Sequence, residues 1–202
     1  KIHKIFLESV NYNNNLSLLD VGTTSSLDES QNLILEKTKE NKNISCLSNQ
    51  NLDLIKKKFT NIKDTFIGDG RKMNLEDNKF DIVYSSATIE HVGSFEEQKV
   101  FVEESYRVAK KNVFITTPNR FHPIDFHTKI PFIHWLPKKF HRKILKFIGL
   151  EFYSLEKNLN LMSKKDLLRI MSKINCSNFK ILKHKFLFFT SNLILVINKK
   201  KN

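Results

Sequence analysis

Glycine is scarce in this sequence, with five among 202 residues. None falls in the Gly-x-Gly-x-x-Gly spacing of a dinucleotide fingerprint, and no Gly-Lys-Ser/Thr closes a phosphate-binding loop. No serine sits in a Gly-x-Ser-x-Gly elbow, so the usual α/β-hydrolase nucleophile is excluded. Cysteine is scarcer still. Cys46 and Cys176 lie far apart in apolar settings and match no redox or metal spacing. A chain so poor in cysteine is expected in a reducing cytoplasm. Long hydrophobic runs are also missing. Ile5-Phe6-Leu7 is too short for a signal-peptide core. Phe186 to Ile197 is broken by Thr190, Ser191 and Asn192, and stays well short of the roughly 20 residues of a membrane span.

What is present describes a globular protein. Hydrophobic residues make up 40% of the chain and include 17 phenylalanines, which excludes disorder throughout. The length suits one domain, residues 1–202, with a sizeable core. Basic residues number 34 against 21 acidic, a net charge of +13. That charge is compatible with nucleic acid or an anionic membrane surface. The lysines are dispersed rather than clustered, which favours a compositional bias over a nucleic-acid partner.

The chain opens with a short helix or tail over 1–15. Leu16 to Val21 reads as a first buried strand closed by Gly22. Ser26 to Glu29 has the form of a capping box that opens a helix over about 28–41, with Leu33 and Ile34 toward the sheet. Strands are expected at 44–47, 65–67, 80–84 and 112–117, and a short helix at 52–59. A second capping box, Ser94 and Glu97, opens a helix to about residue 110. Strands alternating with helices predict a parallel sheet covered on both faces, a doubly wound α/β fold. Residues 119–160 break the alternation and hold three of the four prolines. Ser163 and Asp166 then cap a helix with Leu167, Leu168, Met171 and Ile174 on one side. The runs 179–189 and 192–197 predict a closing antiparallel pair.

Ligands of open α/β sheets bind outside the carboxyl ends of the strands. Those positions carry Gly22-Thr23-Thr24, Ser48-Asn49, Asp69-Gly70 and Ser85-Ser86-Ala87, all small or polar. Five segments occur in order over residues 16–120: Leu18-Leu19-Asp20-Val21-Gly22, Gly68-Asp69-Gly70, Phe80-Asp81-Ile82-Val83-Tyr84-Ser85, Ile89-Glu90-His91-Val92 and Thr116-Thr117-Pro118-Asn119. As an ordered set they resemble the class I S-adenosylmethionine-dependent methyltransferases. The resemblance implies a Rossmann-like sheet of seven strands, mainly parallel with an antiparallel last strand, and S-adenosyl-L-methionine as cofactor. It implies that Asp20 and Gly22 bound the methionine part, with Thr23 beside them among the cofactor-binding residues, that Ser48 and Asn49 at the end of the second strand hold the ribose, that Asp69 and Gly70 face the adenine, and that Ser85 lies along the amino-acid end. The turn departs from the glycine-rich pattern, reading Gly22-Thr23-Thr24-Ser25, and no acidic residue follows the second strand. A non-catalytic relative with weakened cofactor binding is therefore the second reading, and an RNA methyltransferase the third.

A hydroxyl acceptor calls for a base near neutral pKa, and histidine is the natural choice. His91 follows the fourth strand, and His122 and His127 follow the fifth, where acceptors enter. These three are the candidate catalytic residues, and O-methylation of a small or lipid-linked, sugar-type acceptor is the expected reaction. Three histidines and an aspartate in this region are also ligand types, but their irregular spacing predicts no metal site. Residues 138–150 pair an apolar face (Phe140, Ile144, Phe147, Ile148) with a basic one (Lys138, Lys139, Arg142, Lys143, Lys146). A lid helix packing that apolar face on the core is preferred, and peripheral adsorption to the inner face of an anionic membrane is the alternative.

Overall fold

One sheet organises the computed structural model, which describes residues 1–174 and 176–199. In chain order its strands are β1 (Leu18–Val21), β2 (Ile44–Ser48), β3 (Ile62–Ile67), β4 (Phe80–Ser86), β5 (Ala109–Pro118), β6 (Phe179–Phe186) and β7 (Phe189–Asn198). Their spatial order is β3-β2-β1-β4-β5-β7-β6. β1 to β5 pair in parallel, whereas β7 runs antiparallel to both β5 and β6. The seven-stranded sheet with a reversed last strand is the one the sequence predicts. Strand order reverses between β1 and β4, so a crevice opens at their carboxyl ends.

Alternation along each strand divides the core in two. Leu19, Val21, Val83, Val113, Ile115 and Leu195 face α4 (Phe95–Val108) and α7 (Lys164–Lys173). Leu18, Ile82, Tyr84, Phe114, Ile194 and Val196 face α1 (Ile2–Ser9), α2 (Leu33–Lys37) and α3 (Asp53–Lys58). Phe6 of α1 is fully buried, and its ring meets Tyr84 and Phe114 edge-on at 5.2 Å each. Ser94 caps α4 as expected: its Oγ accepts from Glu97 N, and Glu97 Oε2 accepts from Ser94 N. The same reciprocal pair links Ser163 and Asp166 at α7.

Three expectations are corrected. The Ser26–Glu29 capping box does not form. Ser26 Oγ accepts only from Asp28 N in a local turn, and α2 starts at Leu33 with Asn32 before it. The run 23–31 offers one large apolar side chain, Leu27, and it is exposed, so no buried face supports a helix there. Leu33 and Leu168 point outward, the sheet-facing positions being Ile34, Leu35, Leu167, Ile170 and Met171. Ala109 leaves the helix and begins β5.

Between β5 and α7, residues 119–160 hold a short 3-10 turn at Ile133–Trp135, then α5 (Lys138–Phe147) and α6 (Glu151–Ser154). The lid reading of α5 is corrected as well. The side chains it buries are His141 and Leu145, whereas Phe140 is 58% exposed and Phe147 91%. No described helix is long and apolar enough to cross a membrane.

Candidate active site

The crevice at the β1–β4 switch contains a cavity of about 280 Å³. Gly22, Thr23, Ser48, Asn49, Asp69 and Gly70 line it, which brings together six of the eight residues expected to hold the cofactor. Gly22 has φ of +90°, and a Cβ there would lie 2.2 Å from Thr88 Oγ1. A Cβ on Gly70 would lie 2.6 Å from the Phe101 ring. Both glycines thus keep backbone, not side chain, at the cavity wall. Ala87 also lines it, with φ of +51°, a strained conformation at the end of β4. Asp69 is engaged by Arg71, which chelates its carboxylate and reaches on to Glu97 and to Val92 O.

Asp20 and Ser85 sit elsewhere. Asp20 faces a smaller cavity of about 130 Å³, shared with Thr23, Asn32 and Tyr84. Its carboxylate is buried and accepts from Thr23 Oγ1 at 2.7 Å, and burial raises its pKa to about 6. Ser85 lines neither cavity. It is buried and donates to Val21 O at 2.8 Å, stitching β4 to β1.

On the side expected to take the acceptor, two of the three candidate histidines meet. His91 lines the larger cavity, and its Nε2 lies 3.2 Å from His127 Nε2. His91 sits in a 3-10 turn, Ile89–His91, directly after β4. Segment 158–160 ties that turn down: His91 Nδ1 donates to Asn158 O at 2.7 Å, and Asn160 N donates to Glu90 O at 2.7 Å. Gln98 of α4 donates to both Ile89 O and Asn160 O. His127 is held by Asp125 in a tight loop, where Asp125 Oδ1 accepts from the backbone N and from Nδ1 of His127. Burial alone would raise the Asp125 pKa, but the hydrogen bonds from His127 and Thr128 outweigh it and hold the carboxyl near 2. Burial acts downward on His127, yet Asp125 and Glu90 leave its pKa raised.

His122 does not join them. Its Nδ1 is bonded to Ile124 within its own loop, its ring stacks on Phe126, and its carbonyl accepts from His134 and Trp135. Its place is that of a loop organiser.

Two groups had no assigned role in the sequence reading. Glu90 is fully buried, and Oε2 accepts from Thr117 Oγ1 at 2.9 Å. Burial raises its pKa, with the two neighbouring imidazoles acting in the opposite direction. Asp125 is the anchor of His127. An acid placed between apolar Ile89 and Val92 was the available signal for Glu90. For Asp125 it was an Asp two residues before a His.

Comparison with known proteins agrees with this geometry. Residues 21–116 match a family described as a methyltransferase domain. Among the curated proteins, none matches the sequence. Among solved structures, an S-adenosylmethionine-dependent methyltransferase of Methanosarcina mazei superposes with a TM-score of 0.58 at 12% identity, covering 96% of each chain. One from Thermotoga maritima gives 0.58 at 15% identity, over 96% of this chain and 87% of its own. One from Aquifex aeolicus gives 0.56 at 14%, over 96% and 87%. At these identities the structural likeness establishes the fold.

Asp20 yields a test. Its pKa is raised from 3.8 to about 6, so the native state binds the extra proton between those values and stability falls as pH rises through that window. Two units correspond to about 3 kcal/mol. Asp20→Asn is expected to stabilise the ligand-free protein at pH 7 by up to that amount, with the gain gone below about pH 4. Urea unfolding at the two pH values measures it. The sheet order, the glycine-walled crevice and the matched domain agree: residues 21–116 carry a methyltransferase domain, on the fold of the S-adenosylmethionine-dependent methyltransferases.

Proposed function

We propose that the protein methylates a hydroxyl oxygen of a small or lipid-linked acceptor presented at an anionic membrane surface. One observation carries the chemistry: His91 belongs both to the wall of the cofactor cavity and to the histidine pair outside it. S-adenosyl-L-methionine supplies an activated methyl group. The protein then has to align an oxygen with it and keep water away. His91 and His127 hold the acceptor hydroxyl, and a ring Nε2 takes its proton. Asp125 supports this by fixing the His127 tautomer with Nδ1 protonated. A Cβ at Gly22 or Gly70 would clash with the side chain of Thr88 or Phe101, so the wall of the cavity depends on both glycines.

The lipid-surface part of the proposal is supported by the exterior. The β6–β7 hairpin turns through Leu187 and Phe188, with φ of +46° and +71°. Such a two-residue turn favours Asn-Gly, so two large apolar residues are held there against local strain. Phe188 is 96% exposed, with exposed Phe186 and Phe189 on either side. The tip reaches the acceptor-side loop, where the rings of Phe189 and His122 lie 6.2 Å apart. Exposed Phe126, Phe132, Trp135, Phe140 and Phe147 continue along that segment. Lysines accompany them at 183 and 185 and along α5. Each basic residue near an anionic leaflet contributes up to about 1 kcal/mol, screened by salt. Aromatic burial adds about 25 cal/mol per Å².

Two measurements check this. With an acceptor in hand, His91→Ala and His127→Ala are expected to lower kcat by roughly 10²-fold or more, the size of a general-base contribution, and to leave S-adenosyl-L-methionine affinity near wild type. Parallel loss of cofactor binding would assign both residues to structure. Separately, wild type is expected to co-sediment with phosphatidylglycerol-containing vesicles at low salt and to release at high salt. Leu187→Asn/Phe188→Gly is expected to abolish sedimentation while thermal stability holds or rises, because Asn-Gly suits this turn. Unchanged sedimentation would remove the hairpin from the membrane contact.

A further inference from the structure

Three acceptor atoms converge beside the cofactor cavity. The carbonyl oxygen of Asn158 can only accept, so His91 Nδ1 carries the proton and Nε2 presents a lone pair. His127 Nδ1 donates to the Asp125 carboxylate, which likewise leaves a lone pair on Nε2. The two Nε2 atoms are 3.2 Å apart. Glu90 Oε1 lies 4.0 Å from the first and 3.9 Å from the second, is fully buried, and has no hydrogen-bond partner among the described residues. Two lone pairs and a carboxylate oxygen repel one another at these distances unless a proton or a metal ion lies among them.

We propose that Glu90, His91 and His127 bind one divalent transition-metal ion of the zinc, manganese or iron(II) class. The inference rests on the assignment of this cluster to the acceptor side and, with the ion bound, replaces the proton-accepting role of the two imidazoles. All three ligand atoms lie within 4.8 Å of one another. Metal bonds of about 2.0–2.2 Å bring ligand atoms to roughly 3–3.5 Å from each other. The histidine pair already has that spacing, and Glu90 needs to close by roughly half an ångström. Both imidazoles have the supporting partners that metal-bound histidines use, a carboxylate on one and a backbone carbonyl on the other. Two imidazoles with one carboxylate suit borderline transition ions and leave coordination positions open. His91 is the most exposed of the three and borders the cavity, so an acceptor oxygen can take an open position there. Bound to the cation, its hydroxyl loses its proton to solvent more readily, and the imidazoles serve as ligands instead of proton carriers. Glu90 and His91 are adjacent while His127 lies 36 residues on, which is why spacing alone reveals no metal motif.

The test uses full-length protein stripped with EDTA and titrated calorimetrically with Zn²⁺, Mn²⁺ and Co²⁺. One equivalent is expected to bind, with visible d–d absorption for Co²⁺ and a higher Tm. Glu90→Gln and His127→Ala are expected to weaken binding by roughly 10²-fold or more, and Asp125→Asn by 10–100-fold through the orientation of His127. If His127→Ala fails to fold, Glu90→Gln and Asp125→Asn carry the test, since both preserve volume. No stoichiometric binding of any of the three ions, or binding unchanged in Glu90→Gln, overturns the inference. S-adenosyl-L-methionine is titrated in parallel. Cofactor binding without metal binding sinks only the metal site, whereas metal binding without cofactor binding supports it and overturns the reading of the cavity.

Discussion

A carboxylate with no exposed surface sits at the carboxyl edge of the sheet, and the proposed acceptor side is built around it. Burying an ionised Glu90 costs several kcal/mol unless other groups compensate. Thr117 at the end of β5 satisfies one oxygen. The second oxygen has two imidazoles about 4 Å away. Placing those rings requires β4, β5 and the 119–160 segment to meet at one point. The surrounding hydrogen bonds achieve this: Gln98 and Asn160 clamp the Glu90 turn, Asn158 orients His91, and Asp125 orients His127. Whether the positive charge among these groups is a proton or a metal ion, the same packing supplies it with ligands.

The cavity proposed for the cofactor obeys a different constraint, that of space. Reversal of strand order between β1 and β4 opens the crevice, and glycine at positions 22 and 70 keeps it open. Thr88 and Phe101 press against those glycines from the wall, so the cavity is shaped by close packing behind it rather than by polar groups within it. His91 stands where the two constraints meet.

The sheet was legible in the sequence because each strand is a short apolar run bounded by polar turns. The reversed last strand was legible from two β-rich runs with little between them. Capping at Ser94 and Ser163 was legible because an apolar helix face follows each. The same pattern misled at Ser26, where nothing apolar follows to be buried, and at α5, where amphipathic spacing was read as a core contact although Phe140 and Phe147 face outward. In the site, small residues after the strands marked the cavity. Ser85 was misplaced because alternation along β4 turns its side chain into the sheet. The pairing of His91 with His127 came only from the tertiary fold, and Glu90 was passed over because an acid beside a histidine in sequence does not show that it is buried.

The cavity, the matched domain and the histidine pair together point to one small molecule. Calorimetric titration of the wild-type protein with S-adenosyl-L-methionine and with S-adenosylhomocysteine, using NAD⁺ as the control dinucleotide, tests that claim most directly. The account predicts a single site that binds both sulfur nucleosides and does not bind NAD⁺. Binding of NAD⁺ alone, or of none of the three, would contradict it.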